Sequence, residues 1–109
     1  IVLPAIKNLL KPTGQVLCLI KPQFEAGKEK VGKKGVVREP ATHKEVLDGF
    51  VALADELGFR ILGLTFSPVK GPEGNIEFLG HLSLADVPGI CPDTALVVEQ
   101  AHKTLDKGE

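Results

Sequence analysis

Lys21 and Glu77 are the two residues whose types and positions best suit proton-transfer chemistry. Lys21 follows an apolar run, residues 15–20, that predicts a buried strand, and open α/β sheets bind ligands at the carboxyl ends of their strands. Glu77 lies near the start of a later strand, and an antiparallel course would bring that start to the same edge. A lysine can accept a proton or stabilise a developing oxyanion, and a glutamate can orient it. From spacing alone, the commoner interpretation is two solvated side chains.

A basic segment between residues 28 and 38 could contact phosphate groups. It holds five positive residues against Glu29 alone, an excess of four charges (5 − 1), whereas the whole chain has a net charge of −1. The net charge therefore gives no argument for nucleic acid, and a solvated run of charges is the alternative interpretation. The predicted phosphate-binding residues are Lys28, Lys30, Lys33, Lys34 and Arg38.

Apolar periodicity predicts helix, strand, loop, helix, strand, turn, strand and helix, in that order. Thr42 and Glu45 match a capping box at the start of the second helix, and Gly58 ends that helix. Asp93 or Thr94 caps the last one. The predicted bounds are 3–10, 15–20, 23–40, 42–57, 59–66, 71–74, 75–84 and 94–105.

This order of elements predicts an α/β fold. A strand, helix, strand passage needs a parallel right-handed crossover, whereas the short turn before Asn75 favours an antiparallel hairpin. We therefore expect a mainly parallel sheet that ends in one antiparallel strand.

Length and composition favour part of one cytoplasmic domain. The 109 residues suit a single domain, and the absence of methionine together with an apolar start predicts a fragment of a longer protein. No apolar run is long enough to cross a membrane. The cysteines and histidines lack the spacing of a disulfide framework or a metal site, so we expect a reduced compartment and surface or capping roles for the histidines. These residues are Cys18, Cys91, His43, His81 and His102.

Three motifs add a more specific indication. They are LIKPQFEAG at residues 19–27, VGKKGVVR at residues 31–38 and SPVKGPEGNIEFL at residues 67–79. Together they resemble the C-terminal part of the TlyA-type family, also called hemolysin A, among the FtsJ-like RNA methyltransferases. The resemblance extends over residues 1–84, and three spaced motifs are more specific than any single one.

The resemblance implies a Rossmann-like fold that transfers a methyl group from S-adenosylmethionine to a ribose 2'-hydroxyl of ribosomal RNA. It also implies a catalytic set of lysine, aspartate, lysine and glutamate, in which Lys21 matches the second lysine and Glu77 the glutamate. Whether Lys21 acts as base or as positioning cation stays open.

In such proteins the first lysine, the aspartate, the glycine-rich cofactor loop and a small RNA-binding module lie upstream. We therefore expect residues 1–109 to be the C-terminal portion of a methyltransferase domain, without cofactor-binding residues and inactive alone. The expected partner is ribosomal RNA or a ribosomal subunit.

Two other functions are compatible with the sequence. The chain could be a non-catalytic module that docks RNA or another protein. The hemolysin label implies membrane lysis, but the sequence has neither a spanning segment nor a long basic amphipathic helix. In addition, a sheet face uncovered by truncation could pair with a second copy and form a homodimer.

Overall fold

Three strands and three helices form the part of the chain that the structure describes. A computed structural model of the protein gives residues 14–26, 31, 32 and 35–106. The helix predicted at residues 3–10 lies outside them, as do Lys28, Lys30, Lys33 and Lys34. The strands are β1 (Gln15–Ile20), β2 (Arg60–Phe66) and β3 (Phe78–Ser83), and the helices are α1 (Pro22–Glu25), α2 (Pro40–Glu56) and α3 (Thr94–Leu105). A short 3-10 helix, Pro72–Gly74, separates β2 from β3.

The strand order is β1-β3-β2, and β3 is antiparallel to both neighbours. The α/β class is thus confirmed, and β1 and β2 run parallel to each other, as a crossover through α2 requires. The predicted position of the reversed strand is wrong for the described strands, because β3 lies between the other two. A hairpin from β2 that turns back toward β1 fills the space between them. Four of the six residues of β3 are buried, as expected for a central strand.

Helices α2 and α3 cover one face of this sheet and form the core with it. Gly80 allows the closest approach, because a Cβ at this position would lie 2.6 Å from Cζ of Phe50. The Phe50 ring therefore packs directly on the backbone of β3. The buried core includes Ile20, Leu47, Phe50, Phe78, Leu82 and Val98.

The opposite face of β1 is open. Leu17 is 71% exposed and Leu19 is 50% exposed, whereas the apolar run predicted a strand covered on both faces. That prediction is wrong for the described residues, because α2 and α3 cover the same side of the sheet.

The helix ends test the predicted caps. Helix α2 begins at Pro40, and its N-cap Glu39 makes no side-chain capping bond, so the predicted capping box of Thr42 and Glu45 is wrong. Proline at the first helical position has a suitable φ and no amide to satisfy, which starts the helix two residues earlier. Gly58 ends α2 with a φ of 84°. Asp93 caps α3 as predicted, since its Oδ1 accepts from the amide of Leu96 at 3.1 Å.

Candidate active site

Lys21 and Glu77 lie at the same edge of the sheet. Ile20, the last residue of β1, pairs with Phe78, the first residue of β3, so Lys21 and Glu77 flank one register pair. Strand β2 ends at this edge too, where the Ser67 amide donates to the Glu77 carbonyl oxygen at 2.8 Å. The antiparallel register thus brings together two residues that are 56 positions apart in sequence (77 − 21). Their catalytic role stays a prediction.

The Glu77 carboxylate is buried and contacts two neighbours, Gln23 and Gly71. Glu77 is only 5% exposed. Nε2 of Gln23 donates to Oε2 of Glu77 at 2.8 Å. The opposite amide orientation would set two oxygens against each other, so the nitrogen must face the carboxylate. Gly71 also lies against the carboxylate, since a Cβ at this position would fall 2.8 Å from Oε1 and closer still to Cδ and Oε2. A larger residue at position 71 would therefore displace the Glu77 carboxylate.

Lys21 is half-buried and follows β1 at the same sheet edge, where its ammonium faces Phe24. Its ammonium lies 5.5 Å from the centroid of the Phe24 ring, a cation–π distance, and Phe24 is 74% exposed. Among the described residues, no ion pair within 4.0 Å joins Lys21 to Glu77. We call Lys21, Gln23 and Glu77 the strand-edge cluster.

Asn75 ties the end of the basic segment to the loop that carries Glu77. Its Oδ1 accepts from the Val37 amide at 2.9 Å, and its Nδ2 donates to the Gly35 carbonyl at 2.9 Å. Arg38 follows Val37 and is exposed. It is the predicted phosphate-binding residue that lies within the described residues. The side-chain amide thus holds the backbone as a strand partner would, although the phosphate-binding role stays a prediction.

A second polar cluster connects α2, α3 and the loop between β2 and β3. His43 Nδ1 lies 2.7 Å from His102 Nε2, and His102 Nδ1 lies 2.9 Å from Asp106 Oδ2. Lys70 Nζ completes the chain at 3.0 Å from Asp106 Oδ1. We call His43, His102, Asp106 and Lys70 the histidine network. Sequence reasoning missed it, because 59 positions separate the two histidines.

Hydrogen-bond donors and acceptors fix the protons of this network. The Val37 carbonyl can only accept, so His43 Nε2 donates to it at 2.9 Å. Burial, and then the charge of His102, lower the pKa of His43 to about 4, so this ring is neutral and its Nδ1 accepts from His102. His102 Nε2 then donates to His43, and His102 Nδ1 faces the Asp106 carboxylate. Burial alone would raise the pKa of Asp106, but the hydrogen bonds from Lys70 and His102 outweigh it and lower the pKa.

The surface role expected for His43 is therefore wrong, because this residue is fully buried. The local sequence around it signals only a helix. Within the described ranges, no group of three His, Cys, Asp or Glu residues has a geometry that suits a metal ion.

The strand-edge cluster offers an ammonium, an amide and a carboxylate, which suit the binding and deprotonation of a hydroxyl group. The predicted lack of cofactor-binding residues in this chain stays a prediction.

Comparison with known proteins gives consistent matches. A model of the family described as FtsJ-like methyltransferase matches residues 2–84. The Bacillus subtilis (strain 168) protein named "Putative rRNA methyltransferase YqxC" is 45% identical over 113 residues, which cover 96% of this chain and 39% of that protein. The Mycobacterium tuberculosis protein named "16S/23S rRNA (cytidine-2'-O)-methyltransferase TlyA" is 39% identical over 77 residues, 71% of this chain and 29% of that protein.

A solved structure matches this chain in both fold and sequence. The protein named "Putative hemolysin from Streptococcus thermophilus" has a TM-score of 0.89 and 48% sequence identity, and the match covers 97% of this chain and 39% of that one. The chain thus spans about two-fifths of the length of the first of these relatives and of this structure. Within the described residues, no helix is long and apolar enough to cross a membrane.

Proposed function

Because the chain belongs to the FtsJ-like methyltransferase family, we propose that it is the C-terminal part of an enzyme that methylates ribose 2'-hydroxyls in ribosomal RNA. The names of the relatives from Bacillus subtilis and Mycobacterium tuberculosis support ribosomal RNA as the methyl acceptor. The placement of Lys21 and Glu77 at one sheet edge is the observation that carries this proposal. The enzyme would work on ribosomal RNA or a subunit in the cytoplasm.

Lys21 and Glu77 would act on the proton of the ribose hydroxyl. A hydroxyl is a weak nucleophile until its proton begins to leave. A neutral Lys21 can accept that proton at Nζ, whereas a protonated Lys21 can stabilise the developing alkoxide. The buried Glu77 carboxylate, fixed by Gln23 and Gly71, would orient the ammonium or amine toward the hydroxyl.

The methyl group would come from S-adenosylmethionine, which supplies an electrophilic carbon bonded to a sulfonium sulfur. We propose that the residues that hold this cofactor, the first lysine and the aspartate lie outside this chain, so that the chain is inactive alone. The open face of β1 with Leu17 and Leu19 would then be covered by the rest of the same domain, or by a second copy when that part is absent.

Transfer of a labelled methyl group from S-adenosylmethionine to unmodified ribosomal RNA tests the proposal. We would compare the complete protein that contains this chain, its Lys21→Ala variant, a Lys103→Ala control on the exposed surface of α3, and the 109-residue chain. The expected result is label in the complete protein and the control only. Resistance of the product to alkaline cleavage at the modified nucleotide would place the label on the ribose oxygen, because that cleavage needs a free 2'-hydroxyl.

Label in RNA bases, or label that Lys21→Ala does not reduce, would contradict the proposed reaction. If a folded complete protein binds ribosomal RNA but transfers no label to naked RNA or subunits, the non-catalytic RNA-binding module becomes the better account. Dye release from liposomes without a methyl donor would instead support the lytic activity.

A further inference from the structure

Gln23 is unusual because only half of its side-chain amide is satisfied. Its Nε2 donates to Glu77, whereas its Oε1 is buried and has no hydrogen-bond partner among the described residues. A buried acceptor without a partner destabilises a folded protein and is rare in native structures. A residue retained for stability alone would be better replaced by an apolar side chain of the same length.

We propose that Gln23 is a positioning residue for methyl transfer, which fixes the Glu77 carboxylate at the sheet edge that also carries Lys21. This inference rests on the proposed function and adds a residue to its machinery. Gln23 acts through Glu77 and is not itself a catalytic residue.

An amide suits this role better than a charged donor. It orients the carboxylate through one hydrogen bond and leaves the negative charge available to Lys21. An arginine or lysine at position 23 would instead pair with Glu77 and compete with Lys21 for it. Gly71 also lies against the carboxylate, so the two neighbours together restrict its movement.

The local backbone couples Gln23 to Lys21. Helix α1 is a single turn with buried Pro22 at its start, and the Phe24 and Glu25 amides both donate to the Lys21 carbonyl, at 2.9 and 3.2 Å. Lys21 and Gln23 therefore belong to one hydrogen-bonded turn. A shift of the Gln23 amide would therefore move both the Lys21 ammonium and the Glu77 carboxylate.

The test is methyl transfer by the complete protein and its Gln23→Met variant, with Gln100→Met on the exposed surface of α3 as control. Methionine keeps the length and removes both polar atoms. We expect kcat to fall about 10- to 100-fold, as for other lost orienting contacts, while KM for ribosomal RNA stays within about twofold. The melting temperature should change little, because removal of the unsatisfied Oε1 offsets loss of the hydrogen bond to Glu77.

A Gln23→Glu variant gives a second, independent readout. It sets two carboxylates side by side, so activity should be low at neutral pH. When the introduced carboxyl group at position 23 is protonated, it can donate to Glu77 as the amide does. Activity relative to wild type should therefore increase as pH falls from about 8 to about 5.5.

Three results would overturn the inference in distinguishable ways. Wild-type kcat in Gln23→Met would show that the amide does not position Glu77. A lower melting temperature with normal kcat per folded molecule would assign Gln23 a structural role. A wild-type protein that transfers no methyl group would overturn the proposed function itself, and with it this role for Gln23.

Discussion

The strand-edge cluster and the histidine network are two polar clusters built on the same loop, residues 70–77, but they differ in hydrogen bonding. In the network, every ring nitrogen of His43 and His102 has a partner. In the strand-edge cluster, Gln23 has a buried oxygen without a partner, and Lys21 makes no ion pair with Glu77 among the described residues.

This difference indicates that the two clusters have different roles, one in stability and one in the proposed chemistry. A fully satisfied buried network fixes one conformation and stabilises it. A partly satisfied one persists where selection for function outweighs its effect on stability. The histidine network therefore holds the loop against α2 and α3. The strand-edge cluster contains the groups that we propose act on the ribose hydroxyl.

Among the residues around Lys21, the largest effect should come from Glu77→Gln in the complete protein. Glutamine keeps an oxygen that accepts from Gln23, but it removes the charge that orients Lys21. We expect kcat for methyl transfer to fall about 100- to 10,000-fold, the usual range for acid–base groups, with little change in stability. Glu99→Gln, on the exposed surface of α3, is the matched control. A normal kcat in Glu77→Gln would exclude this carboxylate from the reaction.

The histidine network should make stability depend on pH. Because burial and the charge of His102 lower the pKa of His43 from 6.5 to about 4, only the unfolded chain takes up this proton between those values. The stabilisation is complete above pH 6.5 and is lost as pH falls toward 4, by about 3 kcal/mol in total.

Urea denaturation between about pH 7.5 and about pH 4.5 would measure this loss. A His43→Gln variant can donate to Val37 and accept from His102 without titrating, so its unfolding free energy should vary less over the same range. Parallel pH curves for the two proteins would mean that His43 does not cause the dependence.

Gly71→Ala should damage the strand-edge cluster by sterics alone. The new Cβ would collide with the Glu77 carboxylate and displace it, so we expect kcat to fall about 10- to 100-fold. Gly49→Ala in α2 is the contrasting control, because its Cβ would meet nothing within 4 Å. That control should keep kcat and gain about 0.5–1 kcal/mol of stability. Equal activity in both variants would show that Glu77 tolerates movement.

Arg38→Ala should have the smallest effect. Asn75 holds the backbone just before this exposed arginine, so its charge can face a phosphate without contacting the reacting groups. We expect ribosomal RNA to bind a few-fold more weakly. The slope of log binding constant against log salt concentration should fall by about one, and kcat at saturating RNA should be unchanged. Arg60→Ala, at the opposite end of β2, should leave binding unaltered. An unchanged salt dependence in Arg38→Ala would remove it from the interface.

Local patterns predicted the longer elements, but they missed α1, which lies in the predicted loop at 23–40, and they did not predict the arrangement. Strand β1, strand β2 and helix α3 lie within about a residue of their predicted bounds, because apolar periodicity and caps act over a few positions. The central position of β3 depends on how its hairpin packs between two parallel strands, which no local pattern encodes.

The same limit applies to the site. The ends of β1 and β3 could be placed at one edge from topology, which is why Lys21 and Glu77 were found. Gln23 reaches Glu77 across 54 positions through a turn at Pro22, and His43 reaches His102 across 59. Such contacts arise from tertiary packing, so residue type and spacing gave no signal for them.

The most direct test asks whether the strand-edge cluster serves methyl transfer and the histidine network serves stability. It compares Lys21→Met with His43→Gln in the complete protein, with single-turnover methyl transfer and urea denaturation measured on the same samples. We predict that Lys21→Met loses transfer and keeps the wild-type dependence of stability on pH. His43→Gln should keep transfer at neutral pH and lose much of that dependence. Wild-type transfer in Lys21→Met would contradict the assignment of chemistry to the strand-edge cluster.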